Sequence, residues 1–178
     1  EGSFYQTTIA IPEDAPRRTL KRVLKESIGV EAFEENEWKI TVSSRLVGIL
    51  FTAVLGLGDR AEKKRIPDTL LAAPEPVLAA YLSAYFSGDG SVASDRAEIR
   101  ASTVSDELKA DLVASLKRFG IVTTVYEETR RPDTGAVAAF YQERGEAVPT
   151  FSTWVLKITS TNVARFAEMI GFELDRKA

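Results

Sequence analysis

Leu82 to Gly90 reads LSAYFSGDG, inside a longer run, PEPVLAAYLSAYFSGDGSV, that extends from Pro74 to Val92. Val77, Leu78, Tyr81, Leu82, Tyr85 and Phe86 recur at helical spacing and make one apolar face. Ala80, Ser83, Ala84, Ser87 and Gly88 give the same helix a second face of very small side chains. A helix with two such faces has two partners. The apolar face suits an ordinary core, and the small face, with Ala84 and Gly88 four apart, suits a helix whose backbone comes unusually close. The helix stops at a carboxylate, Asp89, held between two glycines. One acid therefore stands at the end of a tight helix–helix seam, where a partner helix can bring a second.

Composition narrows the chemistry. The 178 residues are 44% hydrophobic and 28% charged, as expected of a soluble globular protein with one good-sized core or two small ones. The sequence has no membrane-length apolar run and no signal peptide, so the expectation is a cytoplasmic protein with no membrane partner. It contains no cysteine and no histidine, which excludes disulfides, zinc fingers, thiol nucleophiles and imidazole acid–base chemistry. Catalysis here falls to carboxylates, lysines, hydroxyls and hard metal ions. The formal charge of −3 weighs mildly against a nucleic-acid binder, since such domains are usually basic. Acidic outer helices around a basic binding surface would reconcile the two, and so would an acidic surface suited to a salt-rich cytoplasm.

From the N-terminus, Phe4 to Ile11 reads as a strand and Asp14 to Gly29 as a helix with a solvated basic face. Val30–Phe33 and Trp38–Val42 read as a strand pair. Ser43 or Ser44 caps a helix whose Leu46, Val47, Ile49, Leu50, Ala53 and Val54 are expected to be mostly buried. A basic connector, Asp59 to Pro67, leads through a short helical turn to the opening helix. Beyond Gly90 the order begins again: strand Glu98–Thr103, a Ser105-capped helix ending at Gly120, strand Ile121–Tyr126, strand Trp154–Ile158, and a last helix capped by Ser160 or Thr161. Glu127–Ser152, with two prolines and two glycines, reads as a long hairpin extension or loop. Trp38 and Trp154 read as core or sheet-face anchors.

The order acid-Gly-Ser, strand, Gly-terminated helix, strand pair, Ser-capped helix thus occurs twice, with Glu1-Gly2-Ser3 standing where Asp89-Gly90-Ser91 stands later. A period of about ninety residues is an internal duplication rather than a solenoid. Two similar halves, residues 1–73 and 74–178, are expected to pack about a pseudo-twofold axis.

LSAYFSGDG resembles the nine-residue signature of the LAGLIDADG homing endonucleases, with Leu82 first, Ala84 and Gly88 at the helix-contact positions, and Asp89-Gly90 as the closing pair. Lys64-Arg65-Ile66-Pro67 resembles the Lys-x-Ile-Pro block that precedes the second motif in endonucleases embedded in inteins. KITSTNVARFAEMIGF, from Lys157 to Phe172, resembles the close of that domain. The resemblance implies an α+β fold of two αββαββα-type halves, joined through paired signature helices, whose antiparallel sheets form a DNA-binding saddle. It implies a monomer with internal pseudo-symmetry, double-stranded DNA and an intein splicing domain as partners, and Mg²⁺ as cofactor. Two departures stand out: the first signature helix lies upstream of Glu1, and the first acid is Glu rather than Asp, whose longer side chain moves the metal or requires a local adjustment. The splicing nucleophiles of an intein are not in these residues.

On this reading Asp89 and Glu1, with Gly88 beside them, hold the metal against DNA phosphates, a chemistry that needs no histidine. Asp89, Glu1, Lys64 and Lys157 are the catalytic candidates, with Lys39 a possible counterpart of the lysines. DNA contacts are expected from outward strand positions, Tyr5, Thr7, Glu98, Arg100, Ser102, Thr124 and Tyr126, and from Arg130, Arg131 and Arg144 of the extension. A strand phase shifted by one residue would exchange each strand candidate for its neighbour. The alternatives are a cleavage-inactive endonuclease insert that binds DNA or is structural, and an RNA-binding splicing helper or DNA-binding regulator on the same scaffold.

Overall fold

Two antiparallel sheets, one of three strands and one of four, organise the described residues. The computed structural model describes residues 5–11, 13–56, 60–131 and 135–173. Contacts divide the chain into two units, Glu1–Gly56 and Leu57–Ala178.

In the first unit, β1 (Gln6–Ala10), β2 (Phe33–Asn36) and β3 (Lys39–Ser43) form an antiparallel sheet in the order β1-β3-β2. Helix α1 (Asp14–Val23) runs into a π-helical turn, Leu24–Ile28, and Gly29 ends it at φ 75°, a left-handed conformation that glycine adopts without strain. The basic face of α1 is largely paired: Arg22 with Glu26, Lys21 with Glu34 and Lys25 with Glu31. Arg17 is buried and donates to the carbonyl oxygens of Ile11 and Glu37, so it pins the helix to the sheet ends. Leu24, Ala32, Ile40, Val42 and Val47 make the core.

Helix α2 (Arg45–Ile49) starts at Ser44, whose hydroxyl accepts from the Val47 amide, and continues as a π-helical turn, Leu50–Val54. Val47 alone is buried on this segment, whereas Leu46, Ile49 and Val54 are 59%, 41% and 62% exposed. The expectation of a mostly buried helix is therefore corrected. A helix apolar all round needs cover on more than one side, and a three-stranded sheet covers one. Trp38 is also exposed, its indole donating to Glu37, and is not a core anchor.

The second unit has a four-stranded antiparallel sheet in the order β4-β5-β7-β6: β4 (Gly90–Val92), β5 (Glu98–Thr103), β6 (Thr124–Arg130) and β7 (Phe151–Thr159). Its helices are α3 (Asp68–Leu71), α4 (Glu75–Asp89), α5 (Asp106–Arg118), α6 (Gly135–Glu143) and α7 (Thr161–Met169). Leu78, Leu82 and Phe86 of α4 are buried against Ile99, Leu112, Leu156 and Phe166, with the Phe86 and Phe166 rings edge to face at 5.0 Å. Burying side chains of this size stabilises by about 1.5–3 kcal/mol each, which makes α4 the keel of the unit.

Two expectations change here. Helix α6 occupies part of the stretch read as hairpin or loop. Ser160 stands before α7 at φ 56° without a side-chain capping bond, so the expected cap is not made. Among the described residues no helix is long and apolar enough to cross a membrane.

Candidate functional site

The two faces of α4 have separate fates. Leu78, Leu82, Ser83, Phe86 and Ser87 face inward, whereas Val77, Ala80, Ala84 and Gly88 are exposed along one side. A Cβ on Gly90 would lie 2.5 Å from the Phe86 carbonyl oxygen, so the turn from α4 into β4 demands glycine. A Cβ on Gly88 would meet nothing within 4 Å. Packing among the described residues therefore does not require glycine at position 88.

Asp89 ends α4 on the protein surface and lines a cleft of about 220 Å³ with Lys64, Tyr85, Ser102, Thr103 and Thr153; Leu108 and Val104 close its apolar side. Lys64 is held by the backbone around it. The buried Ser105 hydroxyl donates to the Lys64 carbonyl oxygen at 2.5 Å and accepts from the Leu108 amide at 3.1 Å, capping α5 in the same contact. Two residues on, the Asp111 carboxylate accepts from the amide of the fully buried Ile66 at 3.0 Å, and Arg118 donates to the carbonyls of Leu71 and Ala73. The basic connector is thus clamped along α5 rather than left as a solvated linker.

Tyr85 adds a further polar group. Its hydroxyl is buried and makes no hydrogen bond among the described residues, and burial together with the Asp89 charge pushes its pKa well above the ordinary phenol range. The phenol keeps its proton at any physiological pH. Sequence reasoning placed Tyr85 on the apolar face of the helix and missed this position.

The sheet face turned away from the helices is fixed by register. Ser91, Arg100, Lys157 and Thr124 lie in one row across four strands, and Ser102, Val155 and Tyr126 in the next. Arg100, Ser102, Thr124 and Tyr126 therefore share the outward face as expected, because Ile99, Ala101, Leu156 and Ile158 take the alternate positions in the core. In the first unit the phase is the other one. Thr7 stands opposite the buried Val42, so Thr7 and Tyr5, of the same parity, point to the helical side, with the Arg45 guanidinium 5.5 Å from the Tyr5 ring. The outward positions there are Gln6, Thr8 and Ala10, beside Lys39, Thr41 and Ser43.

In the four-stranded sheet two positions of the outward parity are nonetheless buried, the apolar Val155 at 2% and the charged Glu98 at 4% exposed. Its carboxylate accepts from Arg96 at 3.3 Å, from Lys157 at 3.1 Å and from Nε of Arg100. These partners, Arg96 foremost, hold its pKa at about 2 against the opposing effect of burial. Lys157 is thus engaged with Glu98 and, unlike Lys64, does not line the cleft with Asp89. Arg131 is exposed, and Arg144 stacks its guanidinium 3.6 Å from the Phe140 ring centroid. Glu1 lies outside the described residues, as does the side chain of Arg130. Among the described residues no three acidic groups gather into a metal cage. Asp89 with adjacent hydroxyls suits a hard ion that keeps waters and takes phosphate oxygens as further ligands.

Comparisons with known proteins bear on this arrangement. Residues 76–171 match the family model of the LAGLIDADG-like domain. The DNA polymerase II large subunit of Thermococcus kodakarensis is 33% identical over 179 residues, which take in 98% of this chain and 10% of that protein. The DNA polymerase II large subunit of Haloquadratum walsbyi is 37% identical over 90 residues, 51% of this chain and 4% of that protein. The chain therefore spans a tenth or less of the length of these relatives. A crystal structure of I-DmoI in complex with DNA and Mn superposes with a TM-score of 0.61 at 14% identity, covering 94% of this chain and 81% of that one. At that identity the likeness is one of fold.

Proposed function

The chain belongs to the LAGLIDADG-like domain family and has a mixed helix and antiparallel-sheet fold similar to that of the homing endonucleases, and from that premise we propose that it is the site-specific endonuclease domain of an intein. Its reaction is Mg²⁺-dependent cleavage of both strands of a long DNA site. The observation that carries this reading is the shared cleft of Asp89 and Lys64 at the tip of a helix whose opposite face is small and exposed. The matched polymerases support an intein setting, since the chain is nearly whole in the alignment while spanning a small fraction of the Thermococcus kodakarensis subunit.

In this reading residues 1–73 and 74–178 are the two pseudo-symmetric halves, each acting on one strand. Asp89 would hold Mg²⁺, with Glu1 as the second acid. Mg²⁺, when bound, supplies charge neutralisation and a more acidic water. The Lys64 ammonium stabilises negative charge developing at the phosphate, and the Ser105 contact to its carbonyl oxygen and the Asp111 contact to the Ile66 amide hold it there. The outward sheet residues Arg100, Ser102, Thr124 and Tyr126 face the DNA, with Gln6 and Thr8 taking the place of Tyr5 and Thr7. Arg130, Arg131 and Arg144 extend the contact.

The test is nicking and linearisation of a plasmid carrying an uninterrupted archaeal DNA polymerase II large-subunit gene. The protein should cut it with Mg²⁺ and not with EDTA. DNA binding without any strand scission would leave the cleavage-inactive insert as the function.

A further inference from the structure

Glu98 is a carboxylate on the sheet face that the proposed function turns toward DNA, yet it is nearly inaccessible. Around it stand three cations from three places: Arg96 in the turn before β5, Arg100 on β5 and Lys157 on β7, with Asp95 paired to Arg96 on the outer side. The Arg100 contact is made through Nε, the inner nitrogen of the guanidinium, a side chain that carries further donors on its terminal nitrogens. Lys157 stands directly across from Arg100 in the strand register, and its ammonium is 5.8 Å from the Tyr126 ring centroid. A long, rotamer-rich cation on an open sheet would otherwise sample many positions. Here two of them are drawn to one buried acid.

We propose that Glu98 is a positioning residue, which holds Arg100 and Lys157 in a single geometry so that they meet DNA as a fixed pair of donors rather than as loose charges. The proposal rests on the DNA-binding reading of the sheet. Its physical content is a trade. The acid offsets charge that would bind any phosphate, and in return it fixes the direction of donors that discriminate among sites. Removing it frees the cations, so general affinity for duplex DNA rises and becomes more dependent on salt. A damaged fold would do the opposite and weaken binding.

The experiment uses the whole chain, as wild type and Glu98→Gln, with a mixed-sequence DNA duplex of about thirty base pairs as the probe. Between 50 and 200 mM salt the variant should lose about threefold more affinity than the wild type, the consequence of about one added phosphate contact. Acylation of lysines, read by mass spectrometry, supplies a measurement free of DNA. In the wild type Lys157 should react more slowly than the exposed Lys63, and in Glu98→Gln at a rate like that of Lys63. If the wild type binds the duplex but the variant shows the same salt dependence, the positioning role is overturned while the DNA-binding reading stands. Equal acylation of Lys157 and Lys63 in the wild type overturns it without recourse to the variant. Failure of the wild type to bind duplex DNA at any salt removes the DNA-binding reading and the proposal with it.

Discussion

The Ser105 hydroxyl lies 2.5 Å from the Lys64 carbonyl oxygen, so the cap of α5 and the anchor of the basic connector are one side chain. Asp111, on the same helix, takes the Ile66 amide, and together they set Lys64 at the mouth of the cleft that Asp89 lines. Asp111→Ala leaves that buried amide without a partner, which costs about 1–3 kcal/mol. Urea unfolding should show the loss, and nicking should fall by more than the folded fraction does, because Lys64 is displaced.

Glycines 88 and 90 are expected to respond in opposite ways. Gly90→Ala forces a Cβ against the Phe86 carbonyl and should destabilise the chain by about 1–3 kcal/mol. Gly88→Ala meets open space and should leave the melting temperature unchanged or raise it, by the roughly 0.5–1 kcal/mol that alanine gains over glycine in a helix. Thermal melts of the two variants beside the wild type make the comparison.

The acid limb of stability should carry the signature of Glu98. Its folded pKa, about 2, is depressed below the ordinary 4.5, chiefly by Arg96 and also by Lys157 and Arg100. A depressed carboxylate stabilises the folded state above its unfolded pKa, and that contribution is lost as pH falls through the folded value. The melting temperatures of wild type and Glu98→Gln should therefore differ most above pH 5 and converge toward pH 2. A constant difference across that range would contradict the assigned ion cluster.

Tyr85→Phe removes a buried hydroxyl that has no partner among the described residues. Relief of an unsatisfied group should raise stability by about 1 kcal/mol, measurable as a higher urea midpoint at unchanged slope.

Much of this arrangement is legible in the sequence because it depends on local spacing. The period of α4, the left-handed Gly29, the Ser44 and Ser105 caps and the strand Glu98–Thr103 all follow from rules that act within a few residues. The features missed depend on pairing at a distance. In FYQTTIAI, threonines occupy both faces, so only the opposition of Thr7 and Val42 settles the phase of β1. The burial of Glu98 needs Lys157 from another strand. The exposure of Leu46, Ile49 and Val54 reflects what covers α2, which apolar content alone cannot specify. Helix α6 escaped notice because it starts at glycine, with proline close before it and glycine after.

The central claim is that Asp89 supplies the metal-binding acid of a DNA-cleaving site. It is tested most directly by single-turnover cleavage of the plasmid target with Mg²⁺, using the protein as wild type and as Asp89→Asn, with duplex binding measured in parallel. Asp89→Asn is expected to bind DNA as the wild type does and to cut it about a hundredfold or more slowly. Equal cutting rates for the two proteins would contradict the central claim.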